Sequence, residues 1–171
     1  MIKVLKGALV ALALAGFTGC VSTSDIQVEN AQSEKANLDG YKTYQFIEGS
    51  GFAKDTSKKT LTQNNSVSAE IEALINTELA KKGKVATSKD PDFFVAYLGG
   101  TDREAVKKRV NKEGKEVIEK SPEAAIVLML IDSDSGDIVW MSTAEGDVKS
   151  GSKKDQSERL KFTVKKMLQG L

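Results

Sequence analysis

The sequence predicts an α+β domain: an antiparallel or mixed β-sheet with two amphipathic helices packed on one face, after a lipoprotein signal peptide. Three observations carry this. Ala124–Ile131 is an unbroken apolar run of strand length, closed by a turn-forming cluster and followed by a second apolar run. Two segments repeat apolar residues at helical spacing, one through Val67, Ile71, Leu74, Ile75 and Leu79, the other through Leu160, Val164, Met167, Leu168 and Leu171. The chain opens with Lys3, Lys6 and a short apolar stretch that ends at Phe17-Thr18-Gly19-Cys20.

That opening has the parts of an export signal: a basic start, an apolar centre and small residues before a cut site. The run is too short to span a bilayer, which takes about 20 apolar residues. A cut before cysteine is the bacterial lipoprotein pattern, so residues 1–19 are expected to be removed and Cys20 to receive lipid. Several acyl chains make such attachment durable, where a single chain holds only marginally. Val21, rather than aspartate, follows Cys20. This points to the periplasmic face of the outer membrane in preference to the inner membrane. Residues 20–24 would be the lipidated cysteine and a short tether, and residues 25–171 a single domain.

Composition narrows the chemistry. The 171-residue chain has no histidine, and Cys20 is its one cysteine. Removing residues 1–19 takes the formal net charge from +1 to −1, which gives no electrostatic case for nucleic acid. Without His or free Cys, the common zinc sites and the His-dependent nucleophile systems are closed. Paired carboxylates and oxygen-ligand calcium sites stay open. No catalytic residue, metal site or cofactor is expected.

Along the mature chain, Asp25–Glu29 alternates with Ile26 and Val28 on one face, a short strand. If it forms, the tether reaches at most about 15 Å; otherwise residues 21–40 are a leash. Tyr41–Ile47 is rich in aromatic and β-branched residues and reads as a second strand. Gly49–Asn65 is polar and loop-like. Asn65 and Ser66 are candidate caps for the first helix, which Lys81, Lys82 and Gly83 suit at its C-terminal end. Phe93–Leu98 reads as a buried strand closed by Gly99-Gly100. Residues 102–120 fit a helix turn or a hairpin around Gly114; the hairpin places Lys107, Lys108, Arg109 and Lys112 where cations guard a sheet edge. Asp132–Asp137 turns the chain, and Ile138–Met141 runs back antiparallel, fading after Gly146. Ser152 is a candidate cap for the second helix, with Asp155 at its positive end.

Tyr41-Lys42-Thr43-Tyr44, Asp92-Phe93-Phe94-Val95-Ala96-Tyr97, Ile126 through Asp132, Ser135-Gly136, Val139-Trp140, Gly146, Val164 and Met167 resemble, in order and spacing, the domain of unknown function 4136 family of small bacterial lipoproteins. The resemblance runs from about residue 25 onward. It implies a membrane lipoprotein with no assigned activity and no established catalytic residues.

Three features suggest chemistry, each with a plainer account. Asp132-x-Asp134-x-Gly136-Asp137 approaches a calcium loop, but glycine comes at the fifth position and Thr143 stands at the twelfth, where a bidentate Glu belongs. A hairpin turn uses the same residues. Trp140 could stack a ligand or anchor the core. Glu70, Glu72 and Glu78 could supply acids, yet Glu70 and Glu72 lie on a largely polar helix face. The expected function is a non-enzymatic structural or interaction module, with the membrane, through lipid on Cys20, and envelope proteins or the cell wall as its candidate partners. The alternative is a small-molecule or lipid-binding lipoprotein with a cleft between sheet and helices; a carboxylate-dependent cell-wall hydrolase comes third.

Overall fold

The computed structural model describes residues 21–34, 36–53, 64–102, 106–110, 116–120 and 123–171. The signal segment, Cys20, most of the polar loop and the turn of the 102–120 hairpin lie outside the described residues.

Four long antiparallel neighbours and three short parallel strands make a seven-stranded mixed sheet. The strands are β1 (Gln27–Gln32), β2 (Thr43–Phe46), β3 (Gly51–Phe52), β4 (Val85–Ala86), β5 (Phe93–Asp102), then, after a hairpin, β8 (Glu123–Asp132) and β9 (Ile138–Asp147). Their spatial order is β1-β9-β8-β5-β2-β4, with β3 also on β5. β1, β9, β8 and β5 pair antiparallel, while β2 and β3 run parallel to β5 and β4 runs parallel to β2. The hairpin strands β6 (Val106–Val110) and β7 (Glu116–Lys120) pair antiparallel, as the hairpin reading expects, but as a separate two-stranded sheet and not at an edge of the main one.

The first strand forms, displaced from its expected span: it starts at Gln27 and runs to Gln32, because β9 offers six consecutive partners from Glu145 to Trp140. β5 does not close at Gly99-Gly100 but continues to Asp102 against β8. Gly99 is there for space. A Cβ on it would lie 2.5 Å from Phe52 Cδ2, so the missing side chain lets the Phe52 ring lie across the strand.

Helix α1 (Asn65–Lys81) begins one residue earlier than the expected caps allow. Asn64 is the cap, its side chain accepting the Val67 N–H, and Asn65 is already helical. Helix α2 (Lys153–Met167) starts at Ser152 in a capping box with Asp155. Ile71, Ile75 and Leu79 of α1 and Val164 and Met167 of α2, with the capping Leu168, share one buried cluster with Phe93, Val95, Tyr97, Ile126, Leu128, Leu130 and Trp140; Leu74 packs against it. Alternate residues of each strand therefore meet both helices on one face.

Tyr44 is buried in this core, stacked on Phe93 with ring centroids 5.5 Å apart, and its hydroxyl donates to Asn76 Oδ1 at 2.5 Å. Asp92 pins the start of β2 by accepting the Lys42 and Thr43 N–H groups, both at 2.7 Å, and those bonds lower its carboxyl pKa. Tyr44 and Asp92, two of the residues that carry the family resemblance, thus serve the fold.

Candidate functional site

Among the described residues, no helix covers the other face of the sheet. Phe94, Ala96 and Leu98 of β5 lie beside Ile131, Met129 and Val127 of β8, and Met141 of β9 pairs with Met129. All are half-buried except Leu98, which is 54% exposed. None carries charge, and no described helix or strand packs across them. An antiparallel sheet with one solvated face normally alternates apolar and polar residues; strands apolar on both sides are normally covered on both. The unbroken apolar run of β8 reflects this, since Ile126, Leu128 and Leu130 serve the core while Val127, Met129 and Ile131 point outward.

At the end of the sheet where β9 finishes and both helices begin, a cleft of about 610 Å³ opens between sheet and helices. That is within the usual ~300–1,000 Å³ of small-molecule sites. Phe52, Val67, Ile126, Ala144 and Leu160 give it apolar walls, with Lys149 and Lys153 also lining it. Glu70 lines it too, accepting the Ser157 hydroxyl at 2.5 Å. The other two candidate acids are engaged separately: Glu72 accepts the Tyr97 hydroxyl at 2.9 Å and Glu78 pairs with Lys81 at 2.6 Å. No arrangement here brings these three carboxylates together.

Beside the cleft the chain leaving Cys20 is fastened to the domain. Asp25 accepts Arg159 Nη1 at 3.0 Å and Nη2 at 2.6 Å, Lys149 Nζ at 2.5 Å and the Asp147 N–H at 3.0 Å. Arg159 also donates to the Ser22 carbonyl, and Lys149 to Ser22 Oγ at 3.3 Å. The Asp25 and Arg159 side chains are 14% and 13% exposed. The guanidinium, first among these partners, holds the Asp25 carboxyl well below the usual carboxylate range. Nothing local in the sequence marks this cluster, in which Asp25 lies more than 120 residues from Lys149 and Arg159.

The acidic segment forms the hairpin turn. Asp132 Oδ1 accepts the N–H groups of Asp134 at 3.0 Å and Ser135 at 2.7 Å, and Gly136 takes φ +75°, which glycine adopts freely. Asp132 Oδ2 accepts the Tyr41 hydroxyl at 2.5 Å. That bond, first among several, lowers the Asp132 pKa to about 2 and raises that of Tyr41 to about 12. Both carboxylate oxygens are thus occupied by protein donors. Trp140 is a core residue, 3% exposed, with its ring against Gly170. The described residues include no group of three or more His, Cys, Asp or Glu placed to hold a metal ion, and no helix long and apolar enough to cross a membrane.

Fold and surface together define a small α+β domain whose sheet has one helix-covered face and one that no described helix covers. The chain belongs to the family described as domain of unknown function (DUF4136), whose model matches residues 28–171. A solved DUF4136 family protein from Bacteroides thetaiotaomicron is 11% identical with a TM-score of 0.56, over 83% of this chain and 95% of that one. PelC from Paraburkholderia phytofirmans, solved as a dodecamer, is 18% identical with a TM-score of 0.51, over 85% and 97%. A PDZ domain protein from Parabacteroides distasonis is 16% identical with a TM-score of 0.54; the match covers 84% of this chain and spans only 36% of that longer protein. At such identities the likeness is one of fold alone. No curated protein sequence is matched.

Proposed function

We propose that the protein is a lipid-anchored, non-enzymatic interaction module at the periplasmic face of the outer membrane, and that its open sheet face docks another envelope protein. One observation carries the interaction reading: β5 and β8 are apolar on both sides, yet the helices cover one. The uncovered side presents Phe94, Leu98, Val127, Met129 and Met141 without a charge among them. Contiguous uncharged patches of this kind mark protein contacts. A photoreactive residue replacing Met129 in the native lipidated protein should give an adduct with an envelope protein, and one at exposed Lys165 of α2, on the other side of the sheet, should not. No adduct at Met129, or equal adducts at both, would sink the docking reading. The anchor is tested separately: Cys20→Ser should abolish lipid labelling and leave the precursor unprocessed.

A second reading has its own support. The apolar-walled cleft of about 610 Å³ suits a small or lipidic ligand held between sheet and helices. Lipid co-purifying at one molecule per chain, and lost in Ala144→Phe, would favour it over the docking surface.

A further inference from the structure

The fastening at Asp25 determines which surface can meet the membrane. Ser22 is held by Arg159 and Lys149, so only Val21 separates the lipidated residue from a fixed point on the domain. Two residues of extended chain reach about 7 Å at most. Lipid on Cys20 must therefore enter the bilayer within that distance of Ser22. Val21 and Ser22 share a hollow with Lys149, Gly151 and Gln156. Around them, Val148 is 42% exposed, and Ser150, Gly151, Ser152, Lys153 and Lys154 are exposed.

The charges of this surface suit phospholipid. Lys153 and Lys154 supply exposed cations, and the cluster of Asp25 with Arg159 and Lys149 adds one net positive charge. Of the nearby acids, Asp25 is held by Arg159 and Lys149, and Asp155 is spent on the capping box with Ser152. Glu145 and Asp147 lie further back along β9, lining the cleft. Cations within a Debye length of an anionic leaflet are drawn to it.

We propose that the segment Val148–Lys154, with Val21, is seated on the anionic headgroups of the membrane that holds the lipid, so that the strands of the sheet rise from the bilayer and the Asp132–Asp137 turn stands furthest from it. This rests on lipidation at Cys20. β9 alone, ten residues from Ile138 to Asp147, separates the two ends by about 30 Å. The cleft, lined by Val148, Lys149 and Lys153, then has its mouth at headgroup level. The open sheet face stands perpendicular to the membrane, available to a neighbour in the same leaflet.

The natural chain has no cysteine but Cys20, which lipid blocks, so an introduced thiol can be labelled alone. Full-length mature protein carrying Ser150→Cys or Asp134→Cys would be labelled with a fluorophore. Each would then be reconstituted into phosphatidylethanolamine–phosphatidylglycerol vesicles doped with a headgroup-nitroxide lipid. Quenching should be several-fold stronger at Ser150→Cys than at Asp134→Cys, and Lys153→Glu with Lys154→Glu should shrink the difference. Equal quenching, or stronger quenching at Asp134→Cys, overturns the orientation while leaving the anchor intact. Mature protein that lacks the acyl mass in a mass spectrum and fails to float with vesicles overturns the anchor, and the orientation with it.

Discussion

Arg159 grips Asp25 with both guanidinium nitrogens across 134 residues of sequence, Nη1 at 3.0 Å from Oδ1 and Nη2 at 2.6 Å from Oδ2. The pair joins α2 to the entry of β1, and Arg159 adds the Asp147 carbonyl at the end of β9. A fork-to-fork pair of this kind is stronger and more directional than a lysine contact. The entry of β1 is thus fixed to β9 and α2, which follow each other at the far end of the sequence, at the point where the chain departs toward Cys20.

Asp25→Asn should therefore destabilise the domain by about 1.5–3 kcal/mol, the usual worth of hydrogen bonds to a charged group. The folded-state pKa lies below the ordinary 3.8, so the unfolded chain binds a proton first as pH falls. The stabilisation is complete above 3.8 and is lost below it, as pH drops toward the folded value. Denaturation curves should show the wild-type advantage over Asp25→Asn narrowing as pH falls below about 4. An advantage constant down to strong acid would mean that the carboxylate charge contributes nothing.

The Tyr41–Asp132 bond makes a second titration test. Tyr41 should ionise near 12 and Asp132 near 2, because the phenol donates its proton to the carboxylate and each stabilises the other's form. Ultraviolet titration of Asp132→Asn should return one tyrosine from about 12 toward the ordinary value of 10. With both Asp132 oxygens taken up by Tyr41, Asp134 and Ser135, added calcium should leave the thermal midpoint of the wild type unchanged. A calcium-dependent rise that Asp132→Asn abolishes would make the turn a metal site.

The core was legible in sequence because periodicity reports which side of an element is apolar. Leu128, Leu130, Val164 and Leu168 are buried where the pattern places them, and Ser152 and Asp155 form their box from adjacent residues. What periodicity cannot report is how many layers cover a sheet. The run through Ile126–Ile131 reads as a central strand, and so it is, yet no described helix covers its outward half. Gly99-Gly100 misleads for a related reason. Glycine pairs mark turns by their local freedom, but here the controlling fact is an aromatic ring 47 residues earlier, Phe52. The Asp25 cluster was invisible because an ion pair leaves no pattern until the fold brings its members together.

Leu128 tests the buried side of the central strand. It is 1% exposed, and its strand neighbours are Tyr97 on β5 and Ser142 on β9, all on the helix-covered face. Leu128→Ala should cost about 2–5 kcal/mol, from lost transfer energy plus the cavity left behind. Met129→Ala, one residue on and facing outward, should cost much less. Equal losses in urea midpoint would mean that Met129 is covered in the isolated protein and that the open face is not open.

Gly99 and Phe52 give the sharpest test of packing. A Cβ at Gly99 would lie 2.5 Å from Phe52 Cδ2 and 2.9 Å from Cε2, and 3.3 Å from the Ala125 carbonyl oxygen. The ring belongs to the short β3, which pairs Phe52 with Gly99 itself, and the Phe52 N–H donates to Ser68 Oγ at 2.9 Å, so the ring cannot simply swing away with its backbone. Gly99→Ala should cost about 1–3 kcal/mol, the typical penalty of overpacking. In a Phe52→Ala background the clash is gone, and Gly99→Ala should then be neutral or slightly stabilising, since alanine restricts the unfolded chain more than glycine does. The double-mutant cycle should therefore show coupling between the two sites beyond the ~0.5 kcal/mol within which independent sites add. A Gly99→Ala cost that is the same with and without the ring would show that the glycine serves the backbone of β5 and not Phe52.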